Sequence, residues 1–336
     1  MGAQKPRYSS LRHRGVPPPS VPRILFVKTS SLGDVVHHCP AVADAARRLP
    51  GAQIDWVVEE GFAGVAALHP AVRRVIPVAL RRWRRSCWRP TVWAELGGLR
   101  RALGAERYDA VVDTQGLLKS ALLCTFARGM RHGYDAQSAR ERLATRFYNA
   151  RYAVSRAQHA VERNRALSAA ALGYALDDDC AYGLRSEGAP PIESGGPYAV
   201  LVTMTSRDDK LWPEGRWVKL GRAFGSRGLR CILPWGSETE RARCERLARA
   251  IGDALVPRRL ALDELARLFR GARGVAGTDT GVTHLAAALG VPTVGIYCGS
   301  DPALTGLYGS ARIRNLGDAG APPATAAVAA ALEGLW

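Results

Sequence analysis

The sequence predicts an α/β protein with two doubly wound, Rossmann-like domains that face a central cleft. Short apolar runs rich in β-branched residues alternate with helix-like segments, and this alternation restarts after a Pro/Gly-rich stretch near residue 190. Strands that alternate with helices indicate βαβ units and parallel sheets. Each half also carries an unusual strand–loop–helix segment, at 28–34 and at 279–284. Two such loops in two similar halves predict a ligand cleft between the domains.

The first domain is predicted over residues 23–190. Its strands are expected at 23–28, 54–58, 75–78 and 109–113, and its helices at 35–49, 61–68, 93–104 and 117–128. Residues 134–196 differ in composition, since they are polar and Arg-rich, helical at 158–172, and then acidic and rich in Pro and Gly. The last part of this stretch, 188–197, is typical of an interdomain linker.

The second domain is predicted over residues 191–320. Its strands are expected at 198–203, 229–233, 273–277 and 292–297, with helices from 213 and at 239–251, 263–269 and 283–289. The Ala-rich residues 321–336 predict a closing helix. Residues 1–22 are basic and Pro-rich without an apolar core, so we expect a disordered leader rather than a signal peptide.

The composition indicates a globular protein of the cytoplasm. Hydrophobic residues make up 47% and charged residues 23% of the chain. No window approaches 18 uninterrupted apolar residues, so no transmembrane helix is expected. The seven cysteines are scattered without a CxxC pair, which favours reduced thiols and gives no support to a metal site.

The net charge of +17 is unusually positive for a globular protein of this size. A field of this sign attracts nucleic acid, anionic membranes or polyanionic substrates. A GC-rich genome that inflates Arg is the alternative explanation. The segment Arg81-Arg82-Trp83-Arg84-Arg85 argues for a specific anionic partner, because it concentrates charge of one sign.

Asp34 follows Gly33 beyond the first predicted strand, where open α/β sheets place their ligand crevice. A carboxylate there can act as a general base towards a substrate hydroxyl. Asp is also a favoured cap of a following helix, and position alone favours that alternative.

Two further side chains lie beyond strands of the second domain. Lys210 follows a run of hydroxyl and charged residues that includes Thr205 and Ser206, which suits a diphosphate, although a solvated turn explains it equally well. Glu240 follows strand 229–233, where a carboxylate can accept hydrogen bonds from both hydroxyls of a ribose. As an isolated residue it is more often a first-turn helix Glu.

The segment Asp279-Thr280-Gly281 joins an apolar run to a helix-like run. The start of a helix presents unpaired N–H groups at its positive end, and this arrangement binds phosphate. His284 lies one turn into that helix and is a secondary candidate, since a single helix His is usually structural. The sequence has no Walker A, GxSxG or HExxH motif, and no GxGxxG follows the first strand.

In order along the chain from about residue 23, these motifs resemble those of the type I lipopolysaccharide heptosyltransferases, members of glycosyltransferase family 9. The matching segments are 27–37, 55–62, 81–85, 113–120, 207–213 and 279–284. The chain departs from the family at Thr203-Met204, where His-Ala is usual. The resemblance implies a GT-B fold and metal-independent, inverting transfer of L-glycero-D-manno-heptose from ADP-heptose to the first Kdo of Kdo2-lipid A. It also implies a peripheral position on the cytoplasmic face of the inner membrane, no cofactor and no nucleic-acid partner.

The resemblance also implies roles for individual residues. Asp34 is expected to be the catalytic base that removes the proton of the Kdo 5-hydroxyl. Donor binding is expected from Thr205, Ser206, Lys210, Glu240, Asp279, Thr280, Gly281 and His284, with Glu240 on the ribose. Acceptor binding is expected from Ser30, Ser31, Gly33, Arg81, Arg82, Arg84, Arg85, Gln115, Lys119 and Arg140. Arg clusters suit an acceptor that carries carboxylates and phosphates.

Three alternatives remain at this point. A type II heptosyltransferase would tend to have a Gly-rich loop before Lys210 and a different first loop. A GT-B sugar-nucleotide epimerase would need further acid/base groups that the sequence does not place near the sugar. A basic nucleic-acid-binding protein is disfavoured, because aromatic RNA-stacking signatures are missing and the basic residues are concentrated in one region.

Overall fold

The computed structural model describes residues 21–205 and 207–336. Ser206 and residues 1–20 of the expected leader lie outside this part of the chain. Two six-stranded sheets, each fully parallel in its strand pairing and flanked by helices, form two domains. The α/β class and the doubly wound architecture predicted from the sequence are thereby confirmed.

The N-terminal sheet has the strand order β3-β2-β1-β4-β5-β6. Its strands are β1 Arg23–Val27, β2 Gln53–Glu59, β3 Val72–Val78, β4 Arg107–Asp113, β5 Arg128–Tyr134 and β6 Ala150–Tyr152. The helices are α1 Leu32–Val36, α2 Cys39–Arg48, α3 Ala63–Ala67, α4 Leu80–Arg85, α5 Pro90–Gly104, α6 Leu118–Cys124 and α7 Ala160–Leu172.

The C-terminal sheet has the order β12-β11-β10-β7-β8-β9. Its strands are β7 Tyr198–Val202, β8 Arg230–Ile232, β9 Ala254–Leu255, β10 Gly274–Thr278, β11 Thr293–Ile296 and β12 Ile313–Leu316. The helices are α8 Glu214–Gly225, α9 Glu238–Ile251, α10 Leu262–Gly271, α11 Gly281–Ala288, α12 Pro302–Thr305 and α13 Thr325–Glu333.

The two sheets repeat one topology. In each sheet, the first strand of the domain pairs with the second strand on one side and with the fourth strand on the other. The order in which strands are added to the sheet therefore changes direction at the first strand. Ligands of such sheets bind outside the carboxyl ends of the strands at this reversal. The loops after β1, β4, β7 and β10 are therefore the expected site-forming segments.

The single helix predicted at 35–49 is two helices, because Pro40 lacks an N–H donor and is tolerated only in the first turn of α2. The first of them begins at Leu32 with Ser31 as its N-cap. Asp34 is consequently the third residue of α1 and not its N-cap. It still caps this helix, because its carboxylate accepts from the Ser31 N–H in a capping box, so a capping role is present beside any catalytic one.

Four strands were not predicted: β5, β6, β9 and β12. The two-residue β9 and three-residue β6 are sheet edges, and β12 is a half-exposed edge strand. The sequence of β5 contains two glycines and alternating polar residues, and helix α6 ends at Cys124 rather than at 128. Each of these segments lacks the continuous apolar run that marks a buried parallel strand.

The two domains share one hydrophobic cluster. It includes Val35 of α1 and Val65 of α3 from the first domain together with Leu268 of α10 and Leu285 of α11 from the second. The closing helix α13 packs on the C-terminal sheet, where Leu332 is fully buried. None of the helices within residues 21–205 and 207–336 is both long and apolar enough to span a bilayer.

Candidate active site

The loops after β1 and β10 meet at the interdomain cleft. A Cβ atom placed on Gly281, the first residue of α11, would lie 2.6 Å from the backbone nitrogen of Gly33 and 2.6 Å from Cβ of Leu32. The amino ends of α1 and α11 therefore touch through backbone that leaves no space for a side chain. This contact brings together the two segments that the sequence marked as unusual.

Asp34 follows Gly33 in α1, beside this contact, and its side chain is 15% exposed. Its carboxylate accepts hydrogen bonds from the Ser31 N–H at 2.8 Å and from Arg140 at 3.3 Å. Burial alone would raise the pKa of Asp34, but the charges of Lys28 and Arg140 and the bonds from Ser31 outweigh it and lower the pKa. The carboxylate is therefore ionised at neutral pH and can accept a proton.

Lys28, the first residue after β1, is 5% exposed. Its ammonium donates to the Thr114 carbonyl at 2.9 Å and to Asn164 Oδ1 at 3.3 Å. Burial lowers its pKa to about 8, and the attraction of Asp34 only partly offsets this. Lys28 lies in segment 27–37 of the resemblance, but the sequence did not indicate it as a site residue. A lysine that ends a buried strand beside a candidate base is the signal that could have identified it.

Three of the predicted acceptor residues lie together beside Asp34. Gln115 Oε1 accepts from the N–H groups of Thr29 and Ser30, each at 3.1 Å. Lys119 donates to the Ser30 hydroxyl at 3.1 Å. The loop that carries Gln115 is held by the buried Asp113, which accepts from the Gln115 N–H at 2.8 Å. The loops after β1 and β4 are thus tied into one surface.

A small cavity lies behind Asp34 and adds residues that the sequence did not indicate. Arg163 of α7 lies 5.0 Å above the ring of Tyr134, and both line this cavity with Asn164. Burial is the main cause that lowers the pKa of the Arg163 guanidinium. Together with Lys28 and Arg140, this side chain surrounds the carboxylate with positive charge.

A cavity of about 870 Å³ lies at the carboxyl ends of the C-terminal strands. We call it the main cleft. Gly61 and Gly64 of the N-terminal domain line one side of it, and Gly64 packs against Leu262 of α10. The C-terminal side is lined by residues that include Val202, Met204, Thr205, Trp235, Glu240, Leu260, Thr280 and Val282.

Glu240 faces the main cleft from the first turn of α9. One carboxylate oxygen, Oε2, accepts from the Gly236 N–H at 2.6 Å. The helix is capped by Ser237, whose hydroxyl accepts from the Glu240 N–H at 3.3 Å. The side chain is therefore held by the loop after β8. Glu240 is also a first-turn Glu of α9, as the alternative interpretation had it, so both descriptions fit its position.

Lys210 and Asp279 form an ion pair of 2.6 Å beside the start of α11. The Asp279 carboxylate also accepts from Ser300 at 2.6 Å and from His284 Nε2 at 3.3 Å. Burial would raise the pKa of Asp279, but these hydrogen bonds lower it strongly. Thr205 donates to the Asp279 carbonyl at 3.1 Å. Lys210 is thus held at the amino end of α11 by its ion pair with Asp279.

The predicted Arg cluster forms helix α4 and is partly paired. Arg82 contacts Glu60 at 3.1 Å and Glu95 at 2.9 Å. The run of positively charged residues therefore has acidic neighbours in the folded protein. Arg81 lies 5.2 Å above the ring of Phe62. Within the described residues, Arg84 and Arg85 make no ion pair and remain exposed.

The described residues contain no group of three or more His, Cys, Asp and Glu side chains arranged to hold a metal ion. The positive groups near the two facing loops are Lys28, Arg140, Arg163 and Lys210, together with the first N–H groups of α11. The first N–H groups of a helix have no intrahelical acceptor and favour anions.

The fold, two doubly wound domains with a cleft between them, is that of the GT-B glycosyltransferases. The candidate site adds a carboxylate in the first domain and the amino end of α11 in the second. A profile described as glycosyltransferase family 9 (heptosyltransferase) matches residues 96–329. The chain belongs to this family.

Individual relatives agree with the family assignment. Lipopolysaccharide heptosyltransferase 1 of Salmonella typhimurium is 48% identical over 297 residues, which cover 85% of this chain and 92% of the relative. The protein of the same name from Pseudomonas aeruginosa is 48% identical over 293 residues, covering 87% of this chain and 82% of the relative.

Solved structures confirm the GT-B fold. The structure described as E. coli heptosyltransferase WaaC with ADP is 42% identical, with a TM-score of 0.86 over 94% of this chain and 100% of that chain. E. coli ADP-heptose lps heptosyltransferase II aligns with a TM-score of 0.75 at 21% identity over 93% of this chain and 98% of that chain, and this likeness concerns the fold alone.

Proposed function

We propose that this glycosyltransferase moves L-glycero-D-manno-heptose from ADP-heptose to the first Kdo of Kdo2-lipid A, as an inverting, metal-independent step of lipopolysaccharide inner-core synthesis. The relatives named lipopolysaccharide heptosyltransferase 1 support the reaction. A WaaC structure with ADP-2-deoxy-2-fluoro heptose, 43% identical with a TM-score of 0.78, supports the donor.

The observation that carries the proposal is the contact between Gly33 and Gly281 across the cleft. Asp34 follows Gly33 in α1, and the unpaired N–H groups of α11 begin at Gly281, so this contact supports a base and an anion site in neighbouring segments. A base on one side of a sugar and a site for the leaving diphosphate on the other are what a single displacement with inversion needs.

The donor nucleotide fits the main cleft. We assign the ribose hydroxyls to Glu240 and the diphosphate to Lys210, Thr205 and the N–H groups of Thr280 and Gly281. Ser206, which follows Thr205 in the sequence, is a further candidate for the diphosphate. Asp279 has the role of a positioning residue, because its carboxylate already accepts from protein donors and would repel a phosphate. His284 holds the other oxygen of Asp279.

The reaction then proceeds by one displacement. Asp34 takes the proton from the acceptor hydroxyl as its oxygen forms a bond to the anomeric carbon of heptose. The bond between that carbon and the phosphate oxygen breaks, and ADP leaves with the bonding electrons. The charge on ADP is stabilised by Lys210 and by the helix N–H groups, which are pre-organised and need no reorientation.

The acceptor occupies the N-terminal side of the cleft. Lys28, Arg140 and Arg163 suit the carboxylates of the Kdo sugars, and Ser30, Ser31, Gln115 and Lys119 form the adjoining polar surface. Arg81, Arg82, Arg84 and Arg85 of α4 suit the phosphates of lipid A. Charge-assisted contacts from Arg are directional and strong, which fits an acceptor that carries several carboxylates and phosphates.

Incubation with ADP-heptose and Kdo2-lipid A, followed by mass spectrometry of the lipid, tests the proposal. We expect the lipid to gain the mass of one heptose, with and without EDTA. An acceptor that already carries heptose, and UDP-sugars in place of ADP-heptose, serve as controls. Transfer only to the heptosylated acceptor would instead assign the type II reaction.

A further inference from the structure

Asn164 of α7 is almost fully buried beside the candidate base, with 2% of its surface exposed. Both ends of its amide bind segments of the site. Oδ1 accepts from the Lys28 ammonium at 3.3 Å, and Nδ2 donates to the His37 carbonyl at 3.0 Å. His37 directly follows α1, the helix that carries Asp34. One amide therefore joins the ammonium beside the base to the end of the helix that carries the base.

The chemistry of the two partners determines how this amide is oriented. A lysine ammonium can only donate a hydrogen bond, and a backbone carbonyl can only accept one. An asparagine side chain satisfies both partners at once, because it carries one acceptor and one donor group. An aspartate at position 164 would keep the acceptor and lose the donor, and a leucine of similar size would lose both.

The Lys28 ammonium is buried with few acceptors. Its second hydrogen bond goes to the Thr114 carbonyl at 2.9 Å, and no carboxylate of residues 21–205 and 207–336 forms an ion pair with it. Burial favours the neutral form of a lysine, whereas hydrogen bonds to acceptors favour the charged form. Asn164 thus supplies one of the two bonds that hold a buried positive charge in place.

Several elements contribute titratable or charged groups around Lys28. These groups are Asp34, Asp113, Arg140, Arg163, His37 and His38. Burial is the largest cause that lowers the pKa of Lys28 to about 8, the two guanidinium groups lower it further, and the two carboxylates partly offset this. Because this pKa is close to neutrality, the loss of one hydrogen bond is sufficient to discharge Lys28 at neutral pH.

The small cavity behind Asp34 is where this charge can act. Lys28, Asp34 and Asn164 all line the cavity, whose volume of about 20 Å³ accommodates one water molecule or one ligand oxygen. An ammonium has three donors, of which Thr114 and Asn164 use two. One donor of Lys28 is therefore left for an oxygen atom beside the base.

We propose that Asn164 is a positioning residue of the active site. It keeps the Lys28 ammonium charged and fixed beside Asp34, and it anchors the end of α1 to α7. Asn164 acts through Lys28 and α1, without touching the reacting atoms. The inference rests on the proposed function only in its kinetic part, since the charge of Lys28 can be measured without a substrate.

Lysine NMR measures that charge directly. The chain has five lysines, at positions 5, 28, 119, 210 and 219, so protein labelled with carbon-13 at lysine Cε gives few signals, and Lys28→Met identifies the signal of Lys28. We expect Lys28 to titrate near pH 8 in wild type. In Asn164→Leu its titration should move to lower pH by about one unit or more, the equivalent of one hydrogen bond from a charged group.

Asn164→Asp should have the opposite effect and move the titration of Lys28 to higher pH, because a carboxylate beside an ammonium favours its charged form. This variant also decides the question if Asn164→Leu does not fold. Arg165→Gln is the matched control, since Arg165 is the next residue of α7, is equally buried, and binds Asp44 of α2 at 2.7 Å. The control should lose stability and leave the titration of Lys28 unchanged.

Two NMR results would overturn the proposal. One is a titration of Lys28 that is the same in wild type and in Asn164→Asp. The other is a titration that moves as far in Arg165→Gln as in Asn164→Leu, because the shift would then report general loosening of α7.

The kinetic part follows heptose transfer to Kdo2-lipid A as a function of pH. We expect kcat/KM for the acceptor to fall above about pH 8 in wild type, and about one pH unit lower in Asn164→Leu, because the charge of Lys28 is lost earlier. KM for ADP-heptose should change little, because other elements line the main cleft. An alkaline fall at the same pH in both proteins would overturn the role of this charge in transfer. If wild type transfers no heptose, the proposed function fails, and the NMR titrations still test the contact between Asn164 and Lys28.

Discussion

His37 Nε2 and His284 Nδ1 lie 3.2 Å apart across the domain interface, where both side chains are buried. His284 Nε2 lies 3.3 Å from a carboxylate oxygen of Asp279, which in turn holds Lys210. Because a carboxylate accepts, a neutral His284 carries its proton on Nε2 and accepts from His37 at Nδ1. Burial, followed by the nearby His284 and His159, holds the pKa of His37 well below its usual value. The proposed diphosphate site is thus connected to the helix that carries Asp34.

His37→Phe should lower kcat while changing the KM for the donor less. The variant leaves a buried acceptor on His284 unpaired, which costs about 1–3 kcal/mol and loosens the position of α1. A fall in kcat of roughly 5- to 100-fold is expected from steady-state kinetics. His37→Gln, which keeps an N–H donor, should restore part of the rate.

The matched control is His132→Phe, which removes another buried His hydrogen bond, that with Tyr152, away from the interface. If both Phe variants lose stability alike and neither loses kcat, His37 has a structural role only.

Gly281→Ala should reduce transfer by more than about tenfold without unfolding the protein. The added methyl group would meet the Gly33 nitrogen at 2.6 Å, and backbone cannot rotate away as a side chain can. The two domains must then separate at the point where base and leaving-group site face each other. Gly215→Ala, which meets no atom within 4 Å, is the control for kcat and thermal melting. Equal activity of the two variants would contradict this account.

Asp34→Ala and Asp34→Asn should abolish measurable transfer while leaving the fold and ADP-heptose binding nearly intact. Removal of a general base typically costs about 10²- to 10⁴-fold in rate. Asp34→Asn is the closer replacement, since its amide oxygen can still accept from the Ser31 N–H. Rate measurements, calorimetric titration of ADP and circular dichroism check the three expectations. Full activity in either variant rules out Asp34 as the base.

The buried Lys28 should make stability rise with pH. Its pKa is about 8 in the folded protein against 10.5 when exposed, so between these values the unfolded chain binds a proton that the folded chain has released. The free energy of unfolding therefore increases from pH 8 towards 10.5, by an amount on the order of 3 kcal/mol.

Urea unfolding at pH 7 and pH 10 measures this effect as the difference between wild type and Lys28→Met. Wild type should gain stability relative to the variant as pH rises. The exposed Lys219→Met serves as the control and should follow wild type. If the difference in the free energy of unfolding between wild type and Lys28→Met does not change with pH, burial does not lower the pKa of Lys28.

The central elements of the fold were predictable, whereas the edges were not. Strands β1, β4, β7 and β10 are buried on both faces, and their apolar runs are readable from the sequence alone. Strands β6 and β12 pair on one side only and carry polar residues, so no periodic pattern marks them. The break between α1 and α2 follows from Pro40 and could have been predicted.

The two doubly wound domains and the two loops at equivalent positions could be predicted from local sequence patterns. The same patterns predicted that Asp34, Lys210, Glu240 and Gly281 follow strand ends. These are local properties, fixed by apolar periodicity and turn residues. The contact of Gly33 with Gly281, the ion pair of Asp279 with Lys210, and the burial of Lys28 beside Asp34 appear only in the folded protein. Contacts between residues far apart in the chain depend on how whole domains pack, and no local pattern encodes that packing.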